Sequence, residues 1–298
     1  MRKAYLLWLI VLFTGFISCK KSDLKGFNGF INKNKCDYIQ ASAPGIIPET
    51  TGPIALFTKT YDASSRLQSI YTRFRNVATG IIENFNLNVS YMPGKMIFIR
   101  DNGDTSAILN FGPSGRLLTA TAATPFYLNW SYRRDYNFIY TGNALSEIQI
   151  TGEPHSADAG QWIPYIQLAY DNGYKNITKL TAGGIYSSSD RSWIDYRYDR
   201  TRRPRAQVYP DDMFGDYHMF FFFLKYLNVI PGLQPGNLLA SSSFGGEGTG
   251  FYPASFERQY SNHQLDADGK LVSYTQHSSF PTNQEVTENW QIDWTCFK

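Results

Sequence analysis

Short runs in which β-branched or aromatic residues recur at every second position, separated by clusters of turn formers, dominate this 298-residue chain. IALFTKTYD, LNVSYM, KMIFIRDNGD, NFIYTGN, YIQLAYDNG, WIDYRYD and ENWQIDWTCF are the clearest. Successive side chains of a strand point to opposite faces, so such runs read as strands with one buried face. The Asn, Asp and Gly residues between them tolerate the backbone of tight hairpins. Long 3.6-residue periodicity is scarce. The expected fold is mainly β, an antiparallel meander of hairpins forming one large sheet or a sandwich.

Several hairpins look alike. YDASSRLQSIY from Tyr61, FGPSGRLLTA from Phe111, YTGNALSEIQI from Tyr140, YDNGYKNITKL from Tyr170 and LDADGKLVSY from Leu265 share one order. An aromatic or apolar residue ends one strand, two to four turn formers follow, often with a basic residue, and an apolar residue opens the next strand. Starts at Tyr61, Tyr91, Tyr140, Tyr170 and Tyr198 recur at about 30 residues or roughly twice that, as in a repeated supersecondary unit. The units resemble the YD repeats of RHS-type proteins, whose consensus reads like YDxxGRLxxV, although an RHS toxin shell needs a chain several times longer. The whole chain is similar to small Bacteroidota lipoproteins with degenerate YD repeats, a group with no assigned activity. That resemblance implies a lipid anchor, YD hairpins and a late helical insertion.

The insertion is expected over about 211–230, with its helix over about 212–228. Asp211 or Asp212 can cap it, and Pro231 with Gly232 can stop it. Met213, Phe214, Tyr217, Phe220, Phe221, Leu224 and Leu227 fall near one face, while Phe222 and Phe223 make it apolar nearly all round. Such a helix should pack against the sheet. The SSSFGGEGTGF stretch then reads as a flexible loop before the last hairpins.

Met1, Arg2 and Lys3 precede the apolar stretch AYLLWLIVLFTGFI and then Ser18 and Cys19. A charged start, an apolar segment too short for a span of roughly 20 residues, and a small residue before a cut describe a signal peptide over residues 1–18. FIS followed by Cys19 resembles the lipobox of bacterial lipoproteins, which implies diacylglycerol on the Cys19 sulfur. Residues 19–35, rich in Lys, Asn and Gly, read as a tether, leaving 36–298 as a single β-rich domain. Cys36 and Cys296, the other two cysteines, either form a disulfide stapling the domain's ends or remain buried thiols.

The formal net charge of +3 argues against a nucleic-acid partner. Asp266, Asp268 and Gly269 superficially resemble a calcium loop, but Gly stands fourth and no bidentate Glu follows, so a hairpin corner is the simpler reading. GGEGTG opens no helix and reads as linker rather than a phosphate loop. His155, His218, His263 and His277 show no metal spacing, no GxSxG occurs, and His155 near Asp158 is an incidental pair in a polar loop. No catalytic residue, metal site or cofactor is expected. Arg197, Arg200, Arg202, Arg203 and Arg205 crowd beside Trp193 and Tyr196, a set that could hold an anionic glycan or headgroup, or equally form a charged hairpin tip.

Together these features predict a noncatalytic cell-envelope lipoprotein, a ligand-binding or structural module for carbohydrate or protein. Lys20, directly after the anchored Cys19, favours the outer membrane. The alternatives are an envelope glycan hydrolase with paired carboxylates and an assembly partner of an outer-membrane protein, docking through an apolar patch near Phe220–Phe223.

Overall fold

The structure, a computed structural model, describes residues 36–44, 53–75, 82–123, 133–151, 165–173, 176–183, 191–209, 219–230, 233, 235–247, 256–279 and 285–296. Its strands in chain order are β1 (Cys36–Pro44), β2 (Pro53–Tyr61), β3 (Leu67–Arg75), β4 (Ile82–Met92), β5 (Lys95–Arg100), β6 (Thr105–Phe111), β7 (Leu117–Ala123), β8 (Arg133–Thr141), β9 (Ala144–Thr151), β10 (Tyr165–Tyr170), β11 (Ile177–Gly183), β12 (Arg191–Asp199), β13 (Leu238–Glu247), β14 (Phe256–Leu265), β15 (Leu271–Ser279) and β16 (Glu285–Cys296). Each pairs antiparallel with the strands before and after it, and β1 pairs with β16, so the 16 strands form one closed barrel. The expectation of an open sheet or sandwich is therefore wrong. Alternation fixes which side chains share a face, but neither the number of strands nor whether the first finds the last.

Sixteen strands about 4.8 Å apart and tilted by about 40° enclose a backbone radius of about 16 Å, wider than wall side chains can fill. The stretch between β12 and β13 fills it. Val208, Tyr209, Val229, Ile230 and Leu233 are buried in one cluster with inward residues such as Ile70, Phe98, Leu109 and Ile148. The single helix of the described residues, α1 (Met219–Leu227), belongs to this filling. Phe223 meets the inward-facing Phe98 of β5 edge to face at 5.1 Å, and Phe221, Leu224 and Leu227 are buried too. The helix thus lies inside the barrel, not laid on a sheet face, which explains why it is apolar nearly all round: wall surrounds it. Asn228 ends it in the left-handed region (φ 55°), and residues 210–218, with any earlier turns, lie outside the described residues.

The filling is tied in at one end of the barrel. Ala206 and Lys270 form a parallel bridge, with Arg205 N donating to Gly269 O (2.7 Å) and Leu271 N to Ala206 O (2.9 Å). The buried Asn176 side chain accepts from the Gly236 and Asn237 amides at 2.9 and 3.1 Å, and Gln207 donates to the carbonyls of Pro235 and Asn237. Asn176, within the unit YDNGYKNITKL, is thus a clamp for the chain returning from the lumen.

All five look-alike units are hairpins at this same end, and their repetition has a mechanism. The register slips by one residue just before the strand-ending Tyr61, Phe111, Tyr140, Tyr170, Tyr198 and Leu265. Such a bulge leaves ladder groups unpaired. The next hairpin supplies the missing donor: Tyr91, Tyr140, Tyr170 and Tyr198 hydroxyls donate to the carbonyls of Leu67, Leu117, Leu145 and Ile177 at 2.8–2.9 Å, and Trp294 Nε1 donates to Leu271 O at 2.7 Å. Burial pushes the Tyr91, Tyr140 and Tyr170 phenols up, Tyr140 to about 12, so they stay protonated donors at any ordinary pH. The turn aspartates close the corner: Asp62 Oδ1 accepts from Ser64 N and Arg66 N, and Asp266 Oδ1 from Asp268 N and Lys270 N. The basic residue then lies over the next tyrosine, Arg66 over Tyr91 and Arg116 over Tyr140 at 5.4 and 4.5 Å.

Closure is reinforced at the seam. Cys36 and Cys296 face each other in register and are joined by a disulfide. Beside them Lys59, its side chain fully buried, donates to both Asp37 oxygens at 3.0 Å, and Tyr61 donates to Asp37 at 2.6 Å.

Two stability predictions follow from these contacts. Tyr140→Phe or Tyr170→Phe should each lower the unfolding free energy in urea by about 1 kcal/mol, because a bulge carbonyl loses its donor. Asp37→Ala should cost about 3 kcal/mol, since it strands a buried ammonium; Lys59→Met should cost clearly less, because Asp37 can turn to water.

Candidate functional site

The barrel offers three surfaces: its outer wall, its lumen and its hairpin end. Across the outer wall, register neighbours form polar rows. Lys95, Asn110, Thr119, Asn137 and Gln149 run side by side from β5 to β9. Lys179, Asp195, Ser243, Glu257 and Ser279 do so from β11 to β15. Neighbours in such rows bond laterally, as Asn110 does to Thr119 (3.0 Å), Thr121 to Asp135 (2.6 Å) and Thr275 to Asn289 (2.9 Å). Among the described residues the exposed large hydrophobics are Met92, Leu118 and Ile139. A barrel that spans a membrane carries the reverse pattern, an outward apolar band about 25 Å tall.

The lumen is apolar around the filling and polar elsewhere. Arg258, Gln276 and Ser278 are buried on the inner faces of β14 and β15, and Glu288 faces Gln276 from β16. Gln276 donates to Ser278 at 3.0 Å, while its buried Oε1 has no hydrogen-bond partner among the described residues. Burial raises the Glu288 carboxyl, with Arg258 opposing the shift. Beneath them Tyr274 and Trp290 stack at 6.1 Å, and Tyr209, at the start of the filling, packs on Tyr260 and Tyr274. Sequence reading missed this group, because polar residues in an alternating run look like the wet face until the register is known. Glu288's ladder partner is an amide, Gln276, rather than a second carboxylate. No three described residues of the metal-ligating types converge.

The arginine stretch does not form one site with its aromatics. Along β12, Trp193 and Arg197 face outward and Tyr196 faces the buried interior, where Lys225 of α1 lies 5.5 Å from its ring. Trp193 stands six residues from Asp199, about 20 Å up the wall, under Lys179 and against Gly245, whose missing side chain leaves room for the indole. Arg200, Arg202, Arg203 and Arg205 alone gather, exposed in the turn after β12 at the hairpin end. Arg202 donates to His263 O at 3.1 Å. In the Asp266–Gly269 corner Lys270 Nζ lies 3.1 and 3.0 Å from Asp266 and Asp268, so an ammonium occupies the place a cation would take. His277 is on the outer wall beside Thr287; Cys19, His155, His218 and residues 248–250 of GGEGTG lie outside the described residues, while 241–247 belong to β13 rather than to a flexible loop.

Solved structures share this architecture. A porin-like protein from Bacteroides uniformis superposes with a TM-score of 0.59 at 14% identity, covering 87% of this chain and 98% of that one. A porin-like protein from Bacteroides vulgatus gives 0.56 at 12% identity, covering 88% and 99%. The fold is that of a porin-like barrel. No family model matches the chain, and no curated protein matches it in sequence. No helix of the described residues is long and apolar enough to cross a membrane, a statement that does not bear on the strands; for them the polar rows of the outer wall are the relevant observation.

Glu288 provides a test of the polar lumen. Its carboxyl is raised in the folded chain, so the unfolded chain ionises first as pH rises, and the folded state loses stability from the ordinary carboxylate range upward. Glu288→Gln should therefore gain stability relative to the parent protein between pH 4 and pH 7.5, read as a growing difference in urea midpoints; a constant difference would mean Glu288 titrates normally.

Proposed function

We propose that the protein is an outer-membrane lipoprotein, held through lipid on Cys19, whose barrel stands in water beside the bilayer as a noncatalytic binding or structural module. The carrying observation is the barrel's inverted pattern: charged and amide side chains in continuous rows outside, aromatic and aliphatic residues and a helix inside. A lysine or arginine facing lipid at the bilayer midplane costs about 2–4 kcal/mol each, and these rows hold several charges. The buried, apolar filling by α1 and its neighbours favours a solid body over a pore. The address is supported by the charged start, the apolar stretch and the FIS–Cys19 junction, and by the porin-like neighbours from Bacteroides. The common turn, bulge and tyrosine contacts favour reading the hairpins as a degenerate YD array. Any anionic ligand is best sought at the hairpin end, where Arg200, Arg202, Arg203 and Arg205 are exposed.

Fractionation decides between anchored and spanning. The parent protein should sediment with outer membranes and incorporate palmitate, while Cys19→Ala should incorporate none and be stripped from membranes by carbonate. Retention of Cys19→Ala in membranes after carbonate extraction would mean that the strands cross the bilayer. In planar bilayers the purified protein should give no conductance steps, and steady single-channel steps would overturn the filled-lumen reading.

A further inference from the structure

We propose that the hairpin end of the barrel docks onto an anionic lipid surface; this rests on the lipid-anchor reading above and says which end of the barrel meets the membrane and how. Three independent features meet at that end. Cys36 opens β1 there and is locked by its disulfide to Cys296, so the chain leading back to Cys19 leaves from that end. Sixteen residues lie between Cys19 and Cys36, and a flexible chain of that length has an end-to-end distance of about 22 Å. The strands, up to 12 residues long, stand about 30 Å tall when tilted by about 40°. A lipid on Cys19 therefore keeps the hairpin end toward the membrane and the opposite mouth away from it.

The second feature is where the exposed apolar residues lie. Single exposed hydrophobics are ordinary on a protein surface, but here Met92, Leu118 and Ile139, 55%, 47% and 39% exposed, all lie at the hairpin end of the outer wall, within the arc from β4 to β8. Leu118 is the extra residue of a bulge, between the partners Leu117 and Thr119, which throws an aliphatic side chain outward at the rim. The third is charge. Farther round the same end, Arg200, Arg203 and Arg205 are exposed and have no carboxylate partner among the described residues, and Lys95 adds an exposed cation beside Met92. Guanidinium forks suit phosphate oxygens, and aliphatic side chains at a rim suit the headgroup–acyl boundary. A protein partner would account for either the apolar or the basic arc, but a lipid surface engages both at once because both lie at the end the tether holds against it.

Palmitate labelling reads the anchor alone, and vesicle binding by the unlipidated protein reads the docking end alone, so the two can fail separately. Purified Cys19→Ala protein would be co-sedimented with vesicles of phosphatidylethanolamine and phosphatidylglycerol, and with vesicles of phosphatidylcholine. Binding is expected on the anionic vesicles, weakened by salt. It should fall about fivefold for each arginine replaced, so on the order of a hundredfold for Arg200→Ser, Arg203→Ser and Arg205→Ser together. Met92→Ser with Leu118→Ser and Ile139→Ser should remove the part that survives high salt, with the circular dichroism of both variants unchanged. Equal binding to both vesicle types, no binding to either, sedimentation that requires added envelope proteins, or unchanged binding by the folded arginine variant would each overturn the proposal.

Discussion

The width of a sixteen-strand wall governs this molecule. A barrel of eight strands fills its own interior with wall side chains, but one with a radius of about 16 Å cannot. Either water enters, and the inner face must be polar, or chain enters, and it can be apolar. Here chain enters between β12 and β13, and the rest follows. The helix is apolar on nearly all sides, Asn176 and Gln207 spend their amides on holding the entering and returning segments, and the tyrosines of β14 and β15 pack on Tyr209. With mostly apolar groups inside, alternation puts mostly polar side chains outside, a wall suited to water.

Closure is the second constraint. An unclosed sheet of this length would present two edges with unpaired backbone groups and an uncovered apolar face. The β1–β16 pairing removes both edges, and the residues that hold it are concentrated at one end: the Cys36–Cys296 bond across a separation of 260 residues and the Asp37, Lys59 and Tyr61 group next to it. Closing so long a loop removes chain entropy from the unfolded state worth on the order of 5 kcal/mol in the loop-closure account. The disulfide also puts the bridged cysteines and the entry to the filling at one rim, the hairpin end.

Much of this was legible in the sequence, but only up to pairs of strands. Turn residues and alternation identify the hairpins, and the recurrence of Tyr, Asp and a basic residue marks where they repeat. The reason for the recurrence is visible only in three dimensions: each tyrosine serves a carbonyl about 21 to 25 residues back, across a bulge whose extra residue no pattern announces. Plain alternation explains why the proposed Arg and aromatic cluster dissolves. Proximity in sequence along β12 places Trp193 and Tyr196 on opposite faces, and the arginines after Asp199 belong to the next turn. Arg258, Gln276 and Glu288 were hidden for the converse reason, since polar residues facing inward look the same, on paper, as polar residues facing out.

The same closed sheet can serve opposite solvents. Alternation divides each strand into two sets of side chains, and exchanging the sets turns a lipid-facing wall with a wet channel into a water-facing wall with a dry core, without altering backbone, register or strand number. A backbone superposition with porin-like proteins is blind to that exchange, whereas the side chains are not. Asp135, Asn137, Glu147, Gln167, Lys179 and Asp195 stand where a spanning barrel needs aliphatic residues, and Phe98, Leu109, Ile148 and Trp290 stand where a channel needs water. On the reading proposed above, contact with a membrane falls to the rim at the hairpin end, where the exposed apolar side chains Met92, Leu118 and Ile139 lie.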